Sequence, residues 1–418
     1  MVGGGIFTIL GISVSMIGQL TPIAIIIGGL IAALAAFNYV KLGVYYKDEG
    51  ATYSFFKRTY SGTHFLAAVI GWFIIFGYIS TLALYAYTFS SYAISSSEFA
   101  NNVWVRKGLA IGIVALFAGI NIWSVNGMGK IEDLMVYTKL MLLLIISFIL
   151  IQNGSDITGY LEQLKIDFEN SQLSTILIVA SVTFVAYEGF QLVINAVNEM
   201  DQPEKNIPRA IYIAIGLAVL IYVVIAFGAL LAIPAKDLIQ NKEYALAAGA
   251  GVILGPLGTW TVIIGALLAT SSAISGTVFG SSRQAAVIAA DGYFPNWLSI
   301  RQNHIPKNAI LFMSACAAIL ILSGGLELIL EFGSITFLLV SLLMAVANHK
   351  IRKETKSPIL LTALSIAGLS LGTLLILYYE IRHKWEEMVF ILFLYLILTL
   401  GAWFFAHRQK WKGSPKAE

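Results

Sequence analysis

The sequence is dominated by long apolar runs that are separated by short polar breaks. An α-helix rises 1.5 Å per residue, so about 20 apolar residues cross the hydrocarbon core of a bilayer. The pattern predicts an all-α polytopic membrane protein with about 12 transmembrane helices, the first of them short. The predicted spans are Gly3–Gly18, Thr21–Val40, Phe65–Ile94, Leu109–Ile122, Leu134–Ile151, Leu173–Val197, Ala210–Ile233, Leu257–Ala290, Ala309–Ser323, Leu326–Ala347, Ile359–Tyr379 and Met388–Ala406.

Composition supports the membrane assignment and narrows the range of partners. Hydrophobic residues make up 58% of the chain and charged residues 12%, about half the charged share of a soluble domain. The net charge of +3 gives no reason to expect nucleic acid as a partner. The single cysteine, Cys316, cannot form an intrachain disulfide, and we expect a buried, inert thiol. No cofactor is indicated, and no cleavable signal peptide is expected ahead of Gly3.

Lysine and arginine are unevenly distributed between the two sides predicted for the loops. With the N-terminus inside, eighteen of these residues fall on the inner side and seven on the outer side, while Lys139 lies within a span. Cytoplasmic loops carry the excess of basic residues in membrane proteins. We therefore expect a multi-pass protein of the plasma membrane with both termini in the cytoplasm.

Two of the predicted spans are interrupted. The first begins with Gly3-Gly4-Gly5, and the sixth contains Tyr187-Glu188-Gly189 near its middle. The sixth span fits a kinked helix whose glycine eases packing, and it also fits a broken helix whose freed backbone groups hold a ligand. The interruptions are five spans apart, where a five-plus-five inverted repeat places the first helix of each half. Such a pair indicates the binding site of a transporter.

The chemistry of a broken helix indicates a class of ligand. Its free N–H groups lie at the positive end of the helix dipole and suit a carboxylate. Its free carbonyl groups suit an ammonium group or another cation. An α-amino acid carries both charges close together, so we expect an amino-acid substrate.

Three stretches resemble the amino acid–polyamine–organocation transporters. Gly3-Gly4-Gly5-Ile6-Phe7 is similar to the glycine motif of their first helix, and Phe184-Val185-Ala186-Tyr187-Glu188-Gly189-Phe190 is similar to the break in their sixth helix. The most specific match, over residues 199–211, resembles their cytoplasmic loop before helix seven. The resemblance covers essentially the whole chain and points to prokaryotic proton-coupled amino-acid transporters of broad specificity.

The resemblance implies the inverted-repeat fold of sodium-coupled amino-acid transporters with two peripheral helices added. It predicts helices 1–5 over residues 1–151, an outer loop over 152–172, helices 6–10 over 173–348, and helices 11–12 with a cytoplasmic tail over 349–418. Members of the family have about half a helix before the glycine motif, whereas only Met1 and Val2 precede it here. Helix 1 is therefore expected to lack its inner half, unless the start codon lies upstream.

The resemblance also assigns the substrate to the backbone at both interruptions. Taken alone, the first glycines fit a flexible N-terminus, but the resemblance implies that their N–H groups bind the substrate carboxylate. At the sixth-helix break, carbonyl groups would face the substrate ammonium, and the aromatic rings would shape the pocket and its gate. The expected substrate-binding residues are Gly3, Gly4, Gly5, Phe184, Ala186, Tyr187 and Gly189.

Lys139 is the predicted proton-coupling residue. On geometry alone it fits a lysine that extends its ammonium group to the cytoplasmic surface. Proton-coupled relatives carry a lysine at the matching place in helix five, where the ammonium stands in for a sodium ion of sodium-coupled relatives. A low-dielectric site disfavours a charged lysine, which can then load and release a proton. Ser272 and Ser275 share a helical face and, taken alone, fit small hydroxyl residues that hold membrane helices together. The resemblance places them opposite helix five and implies that one or both accept a hydrogen bond from Lys139.

Glu188 is a further candidate because a carboxylate within a span usually faces a protein interior or a water-filled path. Three roles stay open for it: a second proton site, a ligand for basic substrates and a protonated structural acid. The family varies at this position, which weakens a universal coupling role.

The leading function predicted from the sequence is proton-coupled amino-acid symport by alternating access. The alternatives are an amino-acid or polyamine exchanger of the same fold and a non-transporting nutrient sensor. An enzyme is not expected, since no nucleophile–base pairing or metal-ligand cluster is evident, and the histidines are scattered. A channel would need a charge ring or carbonyl filter, for which no repeated motif is present. Composition does not indicate an oligomeric state.

Overall fold

The chain is almost entirely helical in the structure, a computed structural model that describes residues 3–123, 125–154 and 157–413. Within these ranges it forms fifteen α-helices and no β-strand. The helices are α1 Gly5–Ile17, α2 Thr21–Tyr46, α3 Ala51–Thr59, α4 His64–Ile94, α5 Val103–Trp123, α6 Val125–Gln152, α7 Ile157–Asn170, α8 Leu173–Thr183, α9 Pro203–Ala232, α10 Ala235–Gln240, α11 Ala245–Ala290, α12 Lys307–Ser323, α13 Leu326–Lys350, α14 Ile359–His383 and α15 Trp385–Gly413.

Short 3₁₀ segments and one kink interrupt this pattern. The 3₁₀ segments are Gly18–Leu20, Phe184–Tyr187, Phe190–Glu199 and Asn296–Ser299. The long α11 bends at Gly255, which has φ 62° and ψ −160°. Pro256 follows, and it lacks the N–H that would continue the helical ladder. Gly255 supplies the left-handed backbone that the bend requires.

Ten helical stretches among the described residues are long and apolar enough to cross a bilayer. One of them, Gly5–Tyr46, contains both α1 and α2, and α12 is a shorter apolar helix. The all-α polytopic architecture is therefore confirmed. The count of twelve crossings and the division into repeats stay predictions.

The interrupted span lies at the centre of the helix bundle. In the most apolar window of Leu173–Glu199, 78% of residues are buried, against 22% for Trp385–Arg408. α4 packs along both α11 and α13, and α2 packs along α9. The helices α14 and α15 present large apolar side chains outward, as expected for the rim of a bundle that meets lipid.

Two stretches expected to be outer loops carry helices. The first contains α7, and its Asp167 accepts a hydrogen bond from the backbone N–H of Gln19 at 2.8 Å. Tyr160 on α7 donates to the carbonyl of Gln19 at 3.1 Å, so this helix fastens the turn between α1 and α2. The second, residues 234–256, contains α10 and the part of α11 before its kink at Gly255, and the candidate membrane span Gly255–Ala290 does not include this part.

Candidate functional site

The sixth predicted span is broken at the expected place. α8 ends at Thr183 and passes into the 3₁₀ segment Phe184–Tyr187. Glu188 then has an extended backbone, with φ −64° and ψ 157°. Gly189 follows in the left-handed region at φ 103°, which a residue with a side chain rarely adopts. The backbone therefore leaves the α-helical path at Glu188 and Gly189, which favours a broken helix over a kinked one.

The first glycines pack directly against this break. A Cβ added to Gly5 would lie 2.6 Å from the Cβ of Ala186 and 2.8 Å from its Cα. A Cβ added to Gly3 would lie 2.7 Å from the Cβ of Ala273, and one on Gly4 would lie 3.0 Å from the ring of Tyr85. The two interruptions, far apart in sequence, thus meet in space as expected. The close approach leaves no room for a side chain at Gly5.

The start of α1 carries the chemistry expected of an anion site. Gly4 precedes the helix without a side-chain cap, and Gly3, Gly4 and Gly5 are all buried. The first N–H groups of an α-helix have no partner within the helix and point along its positive end. The side chain of Thr8 donates to the carbonyl of Gly4 at 2.9 Å and anchors the first turn.

Two tyrosines, one on α9 and one within the break, hold the break against the neighbouring helices. Tyr222 on α9 donates from its hydroxyl to the carbonyl of Ala186 at 3.0 Å. Tyr187 donates from its hydroxyl to the carbonyl of Ile25 on α2 at 2.7 Å. One lone pair of the Ala186 carbonyl is therefore already engaged, a constraint absent from the sequence prediction. Phe184 and Tyr187 are fully buried, which suits packing around the break.

A cavity of about 200 Å³ lies beside the break and is enclosed by five helical regions. It borders residues that contact the first glycines, since Tyr85 and Ala273 belong to both sets. Among the described residues, the lining does not include Phe184 or Tyr187. The lining residues are Tyr78, Thr81, Tyr85, Val136, Lys139, Glu188, Gly189, Leu192, Val193, Ser272, Ala273, Gly276, Thr277 and Phe337.

The hydrogen bond predicted for Lys139 is present in this cavity. The Nζ of Lys139 donates to the Oγ of Ser272 at 2.6 Å, and the lysine side chain is 6% exposed. Ser272 donates its own proton to the carbonyl of Ala269 at 3.1 Å, so its oxygen is left to accept. This arrangement suits a charged ammonium. Ser275, the second predicted partner, is buried one turn further along the same face of α11.

Glu188 reaches the same cavity from the break. One of its carboxylate oxygens accepts from the side-chain amide of Gln191, and the carbonyl of that amide accepts from Gly189 N–H at 3.2 Å. The other oxygen, Oε1, is buried without a hydrogen-bond partner among the described residues. A buried polar oxygen in this condition is suited to a ligand or a proton.

Several residues of the site were not predicted from the sequence. Gln191 lies three positions after Glu188, a spacing that does indicate contact on a helix. Tyr78, Tyr85 and Tyr222 come from other helices, and their apolar surroundings gave no signal of their position. In the loop after the break, Glu199 forms an ion pair with Arg283 of α11 at 3.6 Å.

Comparison with known proteins identifies the relatives of this chain. A family model described as amino acid permease matches residues 1–411. An uncharacterized protein of Methanocaldococcus jannaschii is 27% identical over 383 residues, which cover 91% of this chain and 86% of that protein. The inner membrane transport protein YbaT of Escherichia coli (strain K12) is 31% identical over 280 residues, 67% of this chain and 64% of the relative.

A mammalian transporter is similar to a larger part of this chain than YbaT is. Large neutral amino acids transporter small subunit 2 of Homo sapiens is 28% identical over 332 residues, which cover 77% of this chain. The chain spans 61% of that protein's length and 64% of the length of YbaT.

Proposed function

The chain belongs to the amino acid permease family, within the amino acid–polyamine–organocation superfamily of transporters, and on this premise we propose that it is a proton-coupled amino-acid symporter. The hydrogen bond from Lys139 to Ser272, beside the two interrupted helices, is the observation that carries the proposal. The protein would work by alternating access, with the substrate bound near the middle of the membrane.

In this proposal the backbone of the two interruptions binds the common part of the substrate. The N–H groups at the start of α1 would hold the carboxylate, because they lie at the positive end of a helix and glycine has no side chain of its own to prevent close approach. Carbonyl groups of Phe184, Ala186 and Tyr187 would hold the ammonium. The contact between Gly5 and Ala186 supports this role, since it brings donors and acceptors of opposite halves together.

Lys139 would move the proton. Its ammonium group is buried, and Ser272 accepts from it through an oxygen whose own proton is engaged elsewhere. The hydrogen bond to Ser272 is of the charge-assisted type and stabilises the charged form in this conformation. A change in the spacing of α6 and α11 during the transport cycle would remove that bond and favour release of the proton.

The same reasoning extends to orientation and location. The excess of basic residues on one side supports cytoplasmic termini, and one relative carries the name of an inner membrane transport protein. Labelling of single cysteines by an impermeant reagent in whole cells would test this orientation, in a background where Cys316 is replaced by serine. Modification of a cysteine at exposed Lys165 but not at exposed Lys353 is the expected result.

The decisive experiment is uptake of labelled amino acids into proteoliposomes, with and without an inward proton gradient. The substrate panel includes large neutral amino acids, which the mammalian relatives are named for transporting. We expect accumulation above equilibrium only with the gradient. Equal uptake driven by internal amino acid, with no response to the gradient, would establish the exchanger alternative. No uptake and no counterflow would establish a sensor.

A further inference from the structure

Three glutamates from different helices meet near the ends of α13, α14 and α15, away from the cavity. They are Glu331, Glu380 and Glu387, and each offers an oxygen within 4.8 Å of the others. Glu331 and Glu380 are buried, and Glu387 is partly buried. The cluster lies at the face opposite the C-terminus, at the turn between α14 and α15.

Positive charge at this cluster does not balance the negative charge. Lys384 donates to Glu331 and, at 2.7 Å, to Glu327, and its Nζ lies 3.7 Å from Glu387. Lys242 also pairs with Glu327. Four carboxyl groups therefore face two ammonium groups. If all of them are ionised, two negative charges are left over.

The oxygens that lack a hydrogen-bond donor lie on the three glutamates of the cluster, and one of them, Oε2 of Glu387, lies 3.7 Å from the Nζ of Lys384. Among the described residues, no amine, amide or hydroxyl group donates to Oε2 of Glu331, to Oε2 of Glu387 or to either oxygen of Glu380. Glu380 is 0% exposed, so water at the protein surface does not solvate it. A buried carboxylate without a donor is costly, and such groups are found paired or bound to metals. These four carboxylate oxygens are available to bind a cation.

We propose that Glu331, Glu380 and Glu387 bind a divalent cation of the calcium type. Carboxylate oxygens are ligands of hard cations, and no thiol or imidazole belongs to the set. Two oxygens bound to one calcium ion at 2.3–2.6 Å are at most about 5 Å apart, which the separation of these atoms satisfies. Magnesium binds at about 2.0–2.1 Å and requires a tighter, near-octahedral arrangement. The proposal does not depend on the transport function.

An adjoining cavity gives the ion access and room for water. It has a volume of about 230 Å³, and its lining includes Glu387, Glu327 and Lys242. Calcium takes six to eight oxygen ligands, so water would complete the shell that three carboxylates begin. Bound in this way, the ion would tie α13, α14 and α15 together at their ends.

Calcium binding to the purified full chain in lipid nanodiscs tests the proposal. After treatment with a chelator, equilibrium dialysis with radioactive calcium should show one ion per chain, and calcium should raise the unfolding temperature more than magnesium does. Glu380→Gln should lose the bound ion and the temperature shift. The matched control is Glu386→Gln on the same turn, because Glu386 is exposed and lies outside the cluster.

Stability separates loss of the site from loss of the fold. Without calcium, Glu380→Gln should unfold at or above the wild-type temperature, since the change removes an uncompensated buried charge. If that variant does not fold, Glu387→Gln carries the same prediction, with calcium affinity lowered at least tenfold. Absence of bound calcium in the wild type would overturn the proposal and leave a proton shared between Glu331 and Glu380. If calcium still binds to both variants, the proposal is overturned, because the bound calcium is then an adventitious ion only.

Discussion

Lys139 and Lys384 are both largely buried, but their surroundings differ in kind. Lys139 lies within a span, borders a cavity of about 200 Å³ and donates to the hydroxyl oxygen of Ser272. Lys384 lies between α14 and α15, where it contacts the carboxylates of Glu327, Glu331 and Glu387. A hydroxyl partner is neutral and can be exchanged for another, whereas carboxylates hold the ammonium by charge as well as by hydrogen bonding.

The two surroundings act differently on the charge of the lysine. Burial alone would lower the pKa of Lys384, but the carboxylates of Glu331 and Glu327 outweigh it and raise that pKa well above its usual range. Because the pKa is higher in the folded state, the stabilisation is present below the unfolded value of about 10.4 and is lost only as the pH rises through the folded value. Lys384 therefore stays charged at physiological pH, whereas the proposed role of Lys139 requires its charge to change.

The largest expected effect is that of Lys139→Ala. Without the ammonium group the cavity lacks the proposed proton carrier, so proton-driven uptake should fall to that of empty liposomes. Uptake of a labelled amino acid with an inward proton gradient measures this. Lys165→Ala, at an exposed lysine of α7, is the control and should transport normally. Unchanged uptake by Lys139→Ala would show that Lys139 does not carry the proton, and the proposed difference from Lys384 would then be wrong.

Gly5→Ala tests whether substrate uptake depends on the close backbone contact between the two interruptions. The added Cβ would lie 2.6 Å from that of Ala186, so the two interruptions must move apart. Displacement of a binding geometry by about 1 Å costs up to about 100-fold in rate, and we expect uptake efficiency to fall by about 10- to 100-fold. The double variant Gly5→Ala, Ala186→Gly should recover only part of the loss, because the Cα of residue 186 would still lie 2.8 Å from the added Cβ. Full activity of Gly5→Ala would show that this contact is not part of the site.

Ser272→Ala should have a smaller effect that is specific to proton coupling. Removal of a hydrogen bond to a charged group costs about 1.5–3 kcal/mol, which disfavours the charged lysine. Half-maximal uptake should therefore require a lower external pH, with maximal uptake largely retained. The pH profile of Ser275→Ala, which lacks one hydroxyl on the same face, is the comparison. If the two profiles coincide with that of the wild type, the hydroxyl partner does not tune Lys139.

The smallest effect on transport is expected for Lys384→Ala, which should instead lower stability. The change leaves Glu327 and Glu331 without this ammonium group. The cost should be about 2–3 kcal/mol, below the value for a fully buried pair because the Lys384 side chain is 21% exposed. Thermal unfolding in detergent measures the loss, and uptake at low temperature should be nearly normal. Loss of proton-driven uptake comparable to that of Lys139→Ala would abolish the distinction between the two lysines.

The sequence was sufficient to predict the helical class and the break at Glu188 and Gly189, and the resemblance predicted that Ser272, Ser275 or both accept a hydrogen bond from Lys139. Apolar run length determines which segments can span a membrane, and glycine with a charge inside such a run indicates a departure from helix. The pairing of the first glycines with the break was expected from the proposed five-plus-five repeat, but the particular contact of Gly5 with Ala186 was not predicted. These features depend on local pattern or on a shared architecture.

The sequence did not predict features that depend on how helices face one another. Tyr222 engages the carbonyl of Ala186 from α9, and nothing in its apolar surroundings indicates this. Glu331, Glu380 and Glu387 are some 50 residues apart at their extremes and belong to three helices, so no spacing rule connects them. An acid near a span end looks like a boundary residue until packing shows that it is buried. The sequence does not reveal how each helix is rotated about its axis, and this rotation decides which side chains of different helices meet.

The hydrogen bonds between α7 and the α1–α2 turn have a consequence for biosynthesis. Asp167 bonds the backbone of Gln19 across 148 positions of the chain, and a Cβ on Gly18 would collide with its carboxylate. Ribosomes add roughly 5–20 residues per second, so Gln19 is made about 7–30 s before Asp167, the residue that fastens it. During that interval the first two helices need temporary partners, and their interface has to stay open for the rest of the chain to join.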